Sequence, residues 1–393
     1  MIFNITFQRK KLYFGFIGIF IGLMIMNNSL RTLLYLNLMH IVFIIVLTSM
    51  VLTRHKSISF LSLFKVKLTK IDVLLLVVTL TFCIYAGLTT FLNGLNEYSK
   101  LVELLILPLL YVIGRKVNLS IWLAICSTIM IIGVIAAIAV ITQRSYVYLS
   151  GVNYLLISLG IGLSACVSLL FFNIKKTSRS WYFLAYIICL ISLFSVQSRF
   201  VFLFVIIYSL ICFLCCNFFL KKYFNLFIAF LFFLVIGAYF FDTILSIYNN
   251  TQIFNRMSSL FSNFENEPRF ETYQLYFNHI NDFKYSGYGT GGTYEYVYRA
   301  GTLRDTYPHN FFLEFYSEFG VLGLFFSSSI ILISIFHLLK NKCLDCHYLA
   351  AATFFIFYFF NFMKSFSIYD SSILFLACGV ISNKIFIHKR LCK

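Results

Sequence analysis

The sequence predicts an all-α polytopic membrane protein with about twelve transmembrane helices and one large external loop before the tenth. Three observations predict this fold class: an apolar composition, apolar runs of membrane-spanning length, and basic residues that gather in alternate loops. Hydrophobic residues make up 61% of the 393 residues, mean hydropathy is +0.89, and 11% of the residues are charged. A soluble domain cannot bury so many apolar side chains, because a globule must cover itself with polar surface.

Twelve apolar runs are candidate membrane spans, since a helix of about 17 to 25 residues crosses a bilayer. Nine precede a long hydrophilic segment at 242–309, and they lie at 12–27, 33–53, 72–92, 101–114, 120–142, 151–172, 181–197, 200–220 and 223–241. Three follow it, at 320–339, 347–363 and 370–388. The predicted organisation is therefore helices 1–9 in residues 1–241, an external loop at 242–309, and helices 10–12 in residues 310–393. The first run lacks a small-residue cleavage pattern, so we expect a retained helix.

The distribution of charge predicts the orientation of these helices. Of the 31 Lys and Arg residues, 21 fall in one alternating set of loops and termini, together with two of the fourteen acidic residues. The net charge is then +19 on that side and −2 on the other. Basic residues are retained in the cytoplasm, so both termini are predicted to be cytoplasmic and the 242–309 loop external.

The overall charge of +17 does not indicate a nucleic-acid partner, because the basic residues are small clusters between apolar runs. The eleven cysteines imply no disulfide framework, since most lie inside apolar runs. Cys343, Cys346 and His347 match a haem-attachment pattern by chance, because their loop is predicted to be cytoplasmic. No residues have the spacing of metal ligands in the outer loops, and no cofactor is predicted.

Two features stand out inside the external loop. Residues 268–283 have apolar side chains at helical spacing, with Phe270, Tyr273, Phe277 and Ile280 on one side, which predicts a helix on the membrane surface or over the bundle. The Gly-rich stretch that follows cannot continue as a regular helix. Its N–H groups are candidates to approach a phosphate, and an ordinary turn is the alternative.

His309 is a candidate general base at the end of the external loop. Asn310 follows it, and Glu314 and Glu318 lie within the next turns. A half-solvated histidine beside carboxylates suits proton transfer, because the unperturbed imidazole pKa is about 6.5. The alternative is a histidine that only caps the helix entering at Asn310. Lys100 and Glu103, at the start of another helix, are explained by a local ion pair.

The pattern His309-Asn310, nine residues, then Gly320-x-x-Gly323 resembles the signature that closes the large periplasmic loop of the O-antigen ligase and polymerase superfamily. Three other features are similar to that family: Ser198-Arg199 at the outer end of a helix, a helix led by Arg269, and the Gly287-x-Gly289 turn. The resemblance implies a C-type glycosyltransferase-like fold in the bacterial cytoplasmic (inner) membrane.

The resemblance also implies a metal-independent, inverting glycosyl transfer from an undecaprenyl-diphosphate-linked oligosaccharide to a sugar hydroxyl. His309 would accept the proton of the hydroxyl, and Arg199 would stabilise the diphosphate leaving group. The implied substrate-binding residues are Arg269, Arg144, Arg256, Asn310, Glu314, Gly287 and Gly289. Membrane lipid surrounds the protein, and a chain-length regulator or a flippase is a candidate partner.

Within this family, the leading hypothesis is a polymerase of O-antigen or capsular repeat units, and the alternative is an O-antigen ligase that moves polymer to lipid A core or another acceptor. A transporter such as a lipid-linked oligosaccharide flippase is a third hypothesis. A carrier more often has two similar halves and charges at the bilayer midplane, whereas here the ionisable groups gather at one face.

Overall fold

The computed structural model describes residues 2–27, 29–30, 70–94, 97–142, 154–174, 178–196, 198–219, 268–293, 308–340 and 346–383. All regular structure in these ranges is helical. The helices are α1 (Ile2–Ile25), α2 (Lys70–Leu92), α3 (Tyr98–Lys116), α4 (Leu119–Thr142), α5 (Tyr154–Ile174), α6 (Arg179–Val196), α7 (Arg199–Phe219), α8 (Pro268–Asn278), α9 (Phe311–Lys340), α10 (Cys346–Phe362), a 3-10 turn (Ile368–Ser371) and α11 (Ser372–Ile381).

Five of the described helices are long and apolar enough to cross a membrane, in the segments Val73–Leu92, Leu119–Thr142, Leu155–Asn173, Arg179–Val196 and Phe311–Lys340. Helix α2 is typical, since it turns Leu80, Ile84 and Leu88 outward with more than half of each side chain exposed. An apolar surface of this kind suits contact with lipid. The chain is an integral membrane protein. Predicted runs 33–53 and 223–241 lie outside the described residues, so the count of twelve stays a prediction.

The helices form two compact units, and the first comprises Met1–Leu47 and Ser120–Phe264. Here α5 packs along α6 and α7. Small residues allow close approach of the other helices: a Cβ at Gly18 would lie 2.5 Å from the Ile121 carbonyl oxygen, and one at Gly133 would lie 2.2 Å from Ser164 Cβ. Such small-residue contacts are a usual means of packing helices in membranes.

The second unit comprises Thr48–Leu119 and Glu265–Lys393. In this unit α3 and α11 pack closely along each other. A Cβ at Gly379 would lie 2.2 Å from the Tyr111 carbonyl oxygen. Helix α9 packs on α2 and α11, and the Phe82 ring stacks on Phe326 at 4.0 Å between centroids. This unit contains the described part of the predicted external loop, so it holds His309 and the glycine turn.

The predicted orientation leads to a labelling experiment at two exposed positions of the second unit. Ser286 and Lys340 are exposed at opposite ends of the segment that contains α9, and the charge distribution predicts Ser286 outside and Lys340 inside. A membrane-impermeant maleimide should label Ser286→Cys in intact cells above the background of the unchanged chain. Lys340→Cys should react only after the membrane is opened. Labelling of Lys340→Cys in intact cells would reverse the orientation.

Candidate functional site

The site is built around the start of α9, where Asn310 caps the helix. Its side-chain oxygen accepts hydrogen bonds from the N–H groups of Phe312 and Leu313, both at 3.1 Å. This is the usual N-cap arrangement, which satisfies N–H groups that have no partner within the helix. The sequence left open whether the His309 side chain caps this helix, and the structure shows that Asn310 does so.

His309 immediately precedes this cap, in an unusual backbone conformation. Its φ is 51°, in the left-handed region that few non-glycine residues adopt. The side chain is buried, with 8% of its surface exposed, whereas the sequence predicted a half-solvated histidine. The Tyr273 hydroxyl donates to the His309 carbonyl oxygen at 3.4 Å. His309 is thus held in place by the cap on one side and by α8 on the other.

Gly320 divides α9 into a short helix (311–319) and a membrane-spanning helix (321–340). Its φ and ψ are 61° and −153°, and a Cβ there would lie 2.5 Å from the Tyr285 carbonyl oxygen. Gly323 is equally confined, since its Cβ would lie 2.2 Å from the Phe315 carbonyl oxygen. The apolar run predicted at 320–339 corresponds to the second helix. The sequence indicated a helix that begins at Asn310, but it did not predict the kink that separates this short helix from the apolar run at 320–339.

The glycine turn docks on the backbone exposed by this kink. An uninterrupted helix would pair the Ser317 carbonyl with the Val321 N–H, but here Val321 donates to the Lys284 carbonyl at 3.2 Å. The Ser317 and Glu318 carbonyls instead accept from the N–H groups of Tyr288 (3.1 Å) and Gly289 (2.7 Å). The turn therefore completes the hydrogen bonding of the broken helix.

All six N–H groups of residues 287–292 donate to acceptors of the protein. Besides the two bonds above, Gly287 donates to Phe283, Gly292 to Gly289, Thr290 to the Thr90 hydroxyl, and Gly291 to the Tyr369 hydroxyl. In this conformation the hydrogen bonds favour the ordinary-turn interpretation of Gly287 and Gly289. A direct phosphate contact by these two glycines stays a prediction.

Gly287 is the turn residue for which a side chain would be most disruptive. Its φ is +62°, and a Cβ would lie 2.4 Å from the Glu318 carbonyl carbon. We expect Gly287→Ala to lower the free energy of unfolding by about 1 to 3 kcal/mol, measured as a lower thermal midpoint of the purified protein. Gly87→Ala in α2 is the control, because its Cβ would meet nothing within 4 Å. Equal midpoints for the two variants would contradict this role.

Glu314 fastens the loop between α10 and α11 to the short helix. Its carboxylate is buried and accepts from the Ser367 hydroxyl at 2.5 Å and from the Ile368 N–H at 2.9 Å. Each of its oxygens thus has a donor, one from each of two consecutive loop residues. The sequence predicted that Glu314 orients the base or the acceptor sugar; the structure shows its carboxylate bonded to this loop, and the predicted role stays a prediction.

Glu318, one turn further along, joins three segments of the second unit. Its buried carboxylate accepts a hydrogen bond from the Tyr369 hydroxyl, and that hydroxyl accepts from the Gly291 N–H at 2.8 Å. Burial beside Glu318 raises the pKa of the Tyr369 hydroxyl, so the hydroxyl stays protonated and can donate. The ammonium group of Lys100 also acts on Glu318. This network extends the glycine turn to α3 and to the 3-10 turn.

An apolar cleft of about 450 Å³ lies between α8 and the short helix. It is lined by Tyr273, Phe277, Ile280, Asn310, Phe312, Leu313, Tyr316 and Leu324. The predicted helix is confirmed as α8, and three residues of its predicted apolar face line this cleft. The fully buried residues are instead Tyr276 and Phe283, which pack together at 5.8 Å between ring centroids. The cleft runs from the cap at Asn310 to Leu324 in the membrane-spanning half of α9.

The predicted arginines are distributed between the two units. Arg199 is the first residue of α7 in the first unit, and the Ser198 carbonyl begins that helix by accepting from Phe202 at 3.1 Å. Arg269 is the second residue of α8 in the second unit. Arg144 and Arg256 lie outside the described residues. The contributions of all four to the site stay predictions.

A comparison of the sequence with protein-family models tests the resemblance to this superfamily. Residues 183–327 match the protein-family model described as O-antigen ligase. This range includes Arg199, the glycine turn, His309 and the kinked part of α9, so it covers the residues on which the resemblance was based. The match confirms the predicted resemblance to the O-antigen ligase and polymerase superfamily. A comparison with curated proteins found no match.

Proposed function

We propose that this membrane protein is a glycosyltransferase that polymerises undecaprenyl-diphosphate-linked oligosaccharide repeat units into O-antigen or capsular polysaccharide. The reaction takes place at the outer leaflet of the bacterial cytoplasmic membrane. The observation that carries the enzyme class is the match of residues 183–327 to the O-antigen ligase family, and the choice of a polymerase is our leading hypothesis within that class. The packing of the motif glycines around the helix that follows His309 supports it.

In this proposal His309 is the general base. The acceptor hydroxyl attacks C1 of the donor sugar, and its proton passes to the His309 ring as the new C–O bond forms. His309 immediately precedes a capped helix, so its backbone position is fixed at the start of the short helix. A strained backbone at a buried residue is also a common feature of functional sites.

The bond from C1 to the diphosphate breaks in the same step, and its electrons go to the diphosphate oxygen. A single displacement of this kind inverts the configuration at C1. Arg199 stabilises the departing charge, because a guanidinium group donates two parallel hydrogen bonds to phosphate oxygens. Arg269, Arg144 and Arg256 provide further positive charge for binding the donor.

The remaining predicted residues act by shaping the site. Asn310 fixes the start of the short helix, and Glu314 holds the α10–α11 loop against it. Gly287 and Gly289 allow the turn to reach the broken helix. These contacts support a positioning contribution to substrate binding for all four residues.

The apolar cleft suits the isoprenoid part of the donor. The Tyr273 and Tyr316 hydroxyls donate to the carbonyls of His309 and Ile280, and the Asn310 side-chain oxygen caps α9, so few polar groups remain for a sugar. The cleft reaches from Asn310 to Leu324 on a membrane-spanning helix. A lipid chain entering from the bilayer would place its diphosphate end near His309.

The second candidate function is that of an O-antigen ligase, and the description of the matched family favours it. A ligase uses the same donor and the same chemistry but a different acceptor. The experiment supplies the purified protein with an undecaprenyl-diphosphate-linked repeat unit as the sole substrate. A polymerase should extend it into a ladder of longer lipid-linked chains.

Product that forms only after a different glycan acceptor is added would favour the ligase. Absence of any transfer product under both conditions would contradict both enzyme functions. Movement of the intact lipid-linked oligosaccharide across vesicle membranes would then support the flippase hypothesis.

A further inference from the structure

Lys100 connects α3 to the glycine turn and to the loop before α11. Its ammonium group lies 3.7 Å from the Glu97 carboxylate and 5.6 Å from the centre of the Tyr369 ring. A Cβ added to Gly291 would lie 3.0 Å from the same nitrogen, so the turn lies directly against Lys100. The sequence had suggested a local pair with Glu103, whereas the ion pair is with Glu97.

The Glu318 carboxylate needs a compensating charge. Glu318 is 2% exposed, and Glu314, a second buried carboxylate, lies one helical turn away, so negative charge on both at once is unfavourable. Burying an uncompensated carboxylate is strongly unfavourable. Lys100 lies over the ring of Tyr369, whose hydroxyl donates to Glu318, and its positive charge favours the ionised form of that carboxylate.

The surroundings of Lys100 are unsuited to binding the diphosphate directly. Glu97, Glu103 and Glu318 all lie close enough to act on it or to be acted on by it. An anion brought to Lys100 would therefore be repelled by these carboxylates. We therefore assign stabilisation of the leaving group to the arginines and a different role to Lys100.

We propose that Lys100 is a positioning residue for glycosyl transfer: its ammonium compensates Glu318 and thereby holds the glycine turn against the kinked helix that follows His309. Gly291 links the glycine turn to Glu318, because its N–H donates to the Tyr369 hydroxyl, which itself donates to Glu318. The role in transfer rests on the proposed function, and the effect on the turn does not.

The test is a double-mutant cycle on the full-length purified protein, with two readouts. The first is the initial rate of transfer from an undecaprenyl-diphosphate-linked repeat unit over a range of donor concentrations. The second is amide hydrogen exchange of the peptide that contains residues 287–292, which requires no substrate. The variants are Lys100→Met, Lys100→Arg, Glu318→Gln and the Lys100→Met/Glu318→Gln pair. Lys284→Met is the matched control, because Lys284 is exposed and also lies beside a tyrosine ring.

We expect Lys100→Met to lower kcat by about tenfold with little change in the donor KM, and to accelerate exchange in the turn. Lys100→Arg should retain most of the rate, since it keeps the charge. Adding Glu318→Gln to Lys100→Met should recover about threefold or more of the lost rate, because the uncompensated carboxylate is removed. Lys284→Met should behave like the unchanged protein.

Three results would overturn the proposal: exchange in the turn that Lys100→Met leaves unchanged, a double variant no better than Lys100→Met, or a loss confined to the donor KM. The last result would indicate direct contact with the diphosphate. Absence of transfer by the unchanged protein is a different outcome, which contradicts the proposed function. The exchange measurement would still decide whether Lys100 holds the turn.

Discussion

His309→Asn should lower the rate of polymer formation by about 10² to 10⁴-fold, the usual contribution of a general base, while the amount of protein in the membrane stays unchanged. Asparagine tolerates the left-handed backbone conformation that His309 adopts, so this variant preserves the fold better than alanine does. Its amide cannot accept the proton of the acceptor at neutral pH. The measurement is the polysaccharide ladder together with the protein level.

His279→Asn is the matched control for this experiment. His279 belongs to the same unit, and its ring pairs with the Asp282 carboxylate at 2.9 Å in an exposed position. It should leave both the ladder and the protein level unchanged. A near-normal ladder in His309→Asn, or in His309→Gln, would remove His309 from catalysis and leave the arginines as the main source of rate.

Arg199→Lys should reduce transfer by about 10² to 10³-fold, the range for losing a main donor to developing charge, without preventing insertion. Lysine keeps the positive charge but loses the two parallel hydrogen bonds of the guanidinium group. Initial rates with the purified variant measure the effect. Arg179→Lys is the control, because Arg179 also begins a helix of the first unit and donates to the nearby Phe172 carbonyl at 3.0 Å. If Arg199→Lys and Arg199→Ala both support normal polymer length and amount, Arg199 is only an interface anchor.

The membrane helices and the motif could be predicted from sequence because they depend on local patterns. Apolar length predicts a span, and the spacing of His309, Asn310, Gly320 and Gly323 is read directly from the chain. The predicted helix at 268–283 is likewise confirmed over Pro268–Asn278, because its apolar residues recur at helical spacing.

The partners of these residues could not be predicted, because they come from distant segments. Glu314 looked like a neighbour of His309, but its hydrogen-bond donors lie more than fifty residues away in the α10–α11 loop. Lys100 has acidic residues three positions away on both sides, Glu97 and Glu103. Sequence spacing alone could not show that Glu97 forms the ion pair. The positive φ of Gly320 also left no mark on the apolar pattern, so the kink after the helix that begins at Asn310 could not be predicted.

The most direct test of the central claim is to count products with the purified protein in the presence of a chelator. The protein is given an undecaprenyl-diphosphate-linked repeat unit, and released undecaprenyl diphosphate is compared with the glycosidic bonds formed. The account predicts equal amounts of the two, inverted configuration at the new bond, and no dependence on metal ions. Glycosidic bonds that form without release of undecaprenyl diphosphate, or an absence of both products, would contradict it.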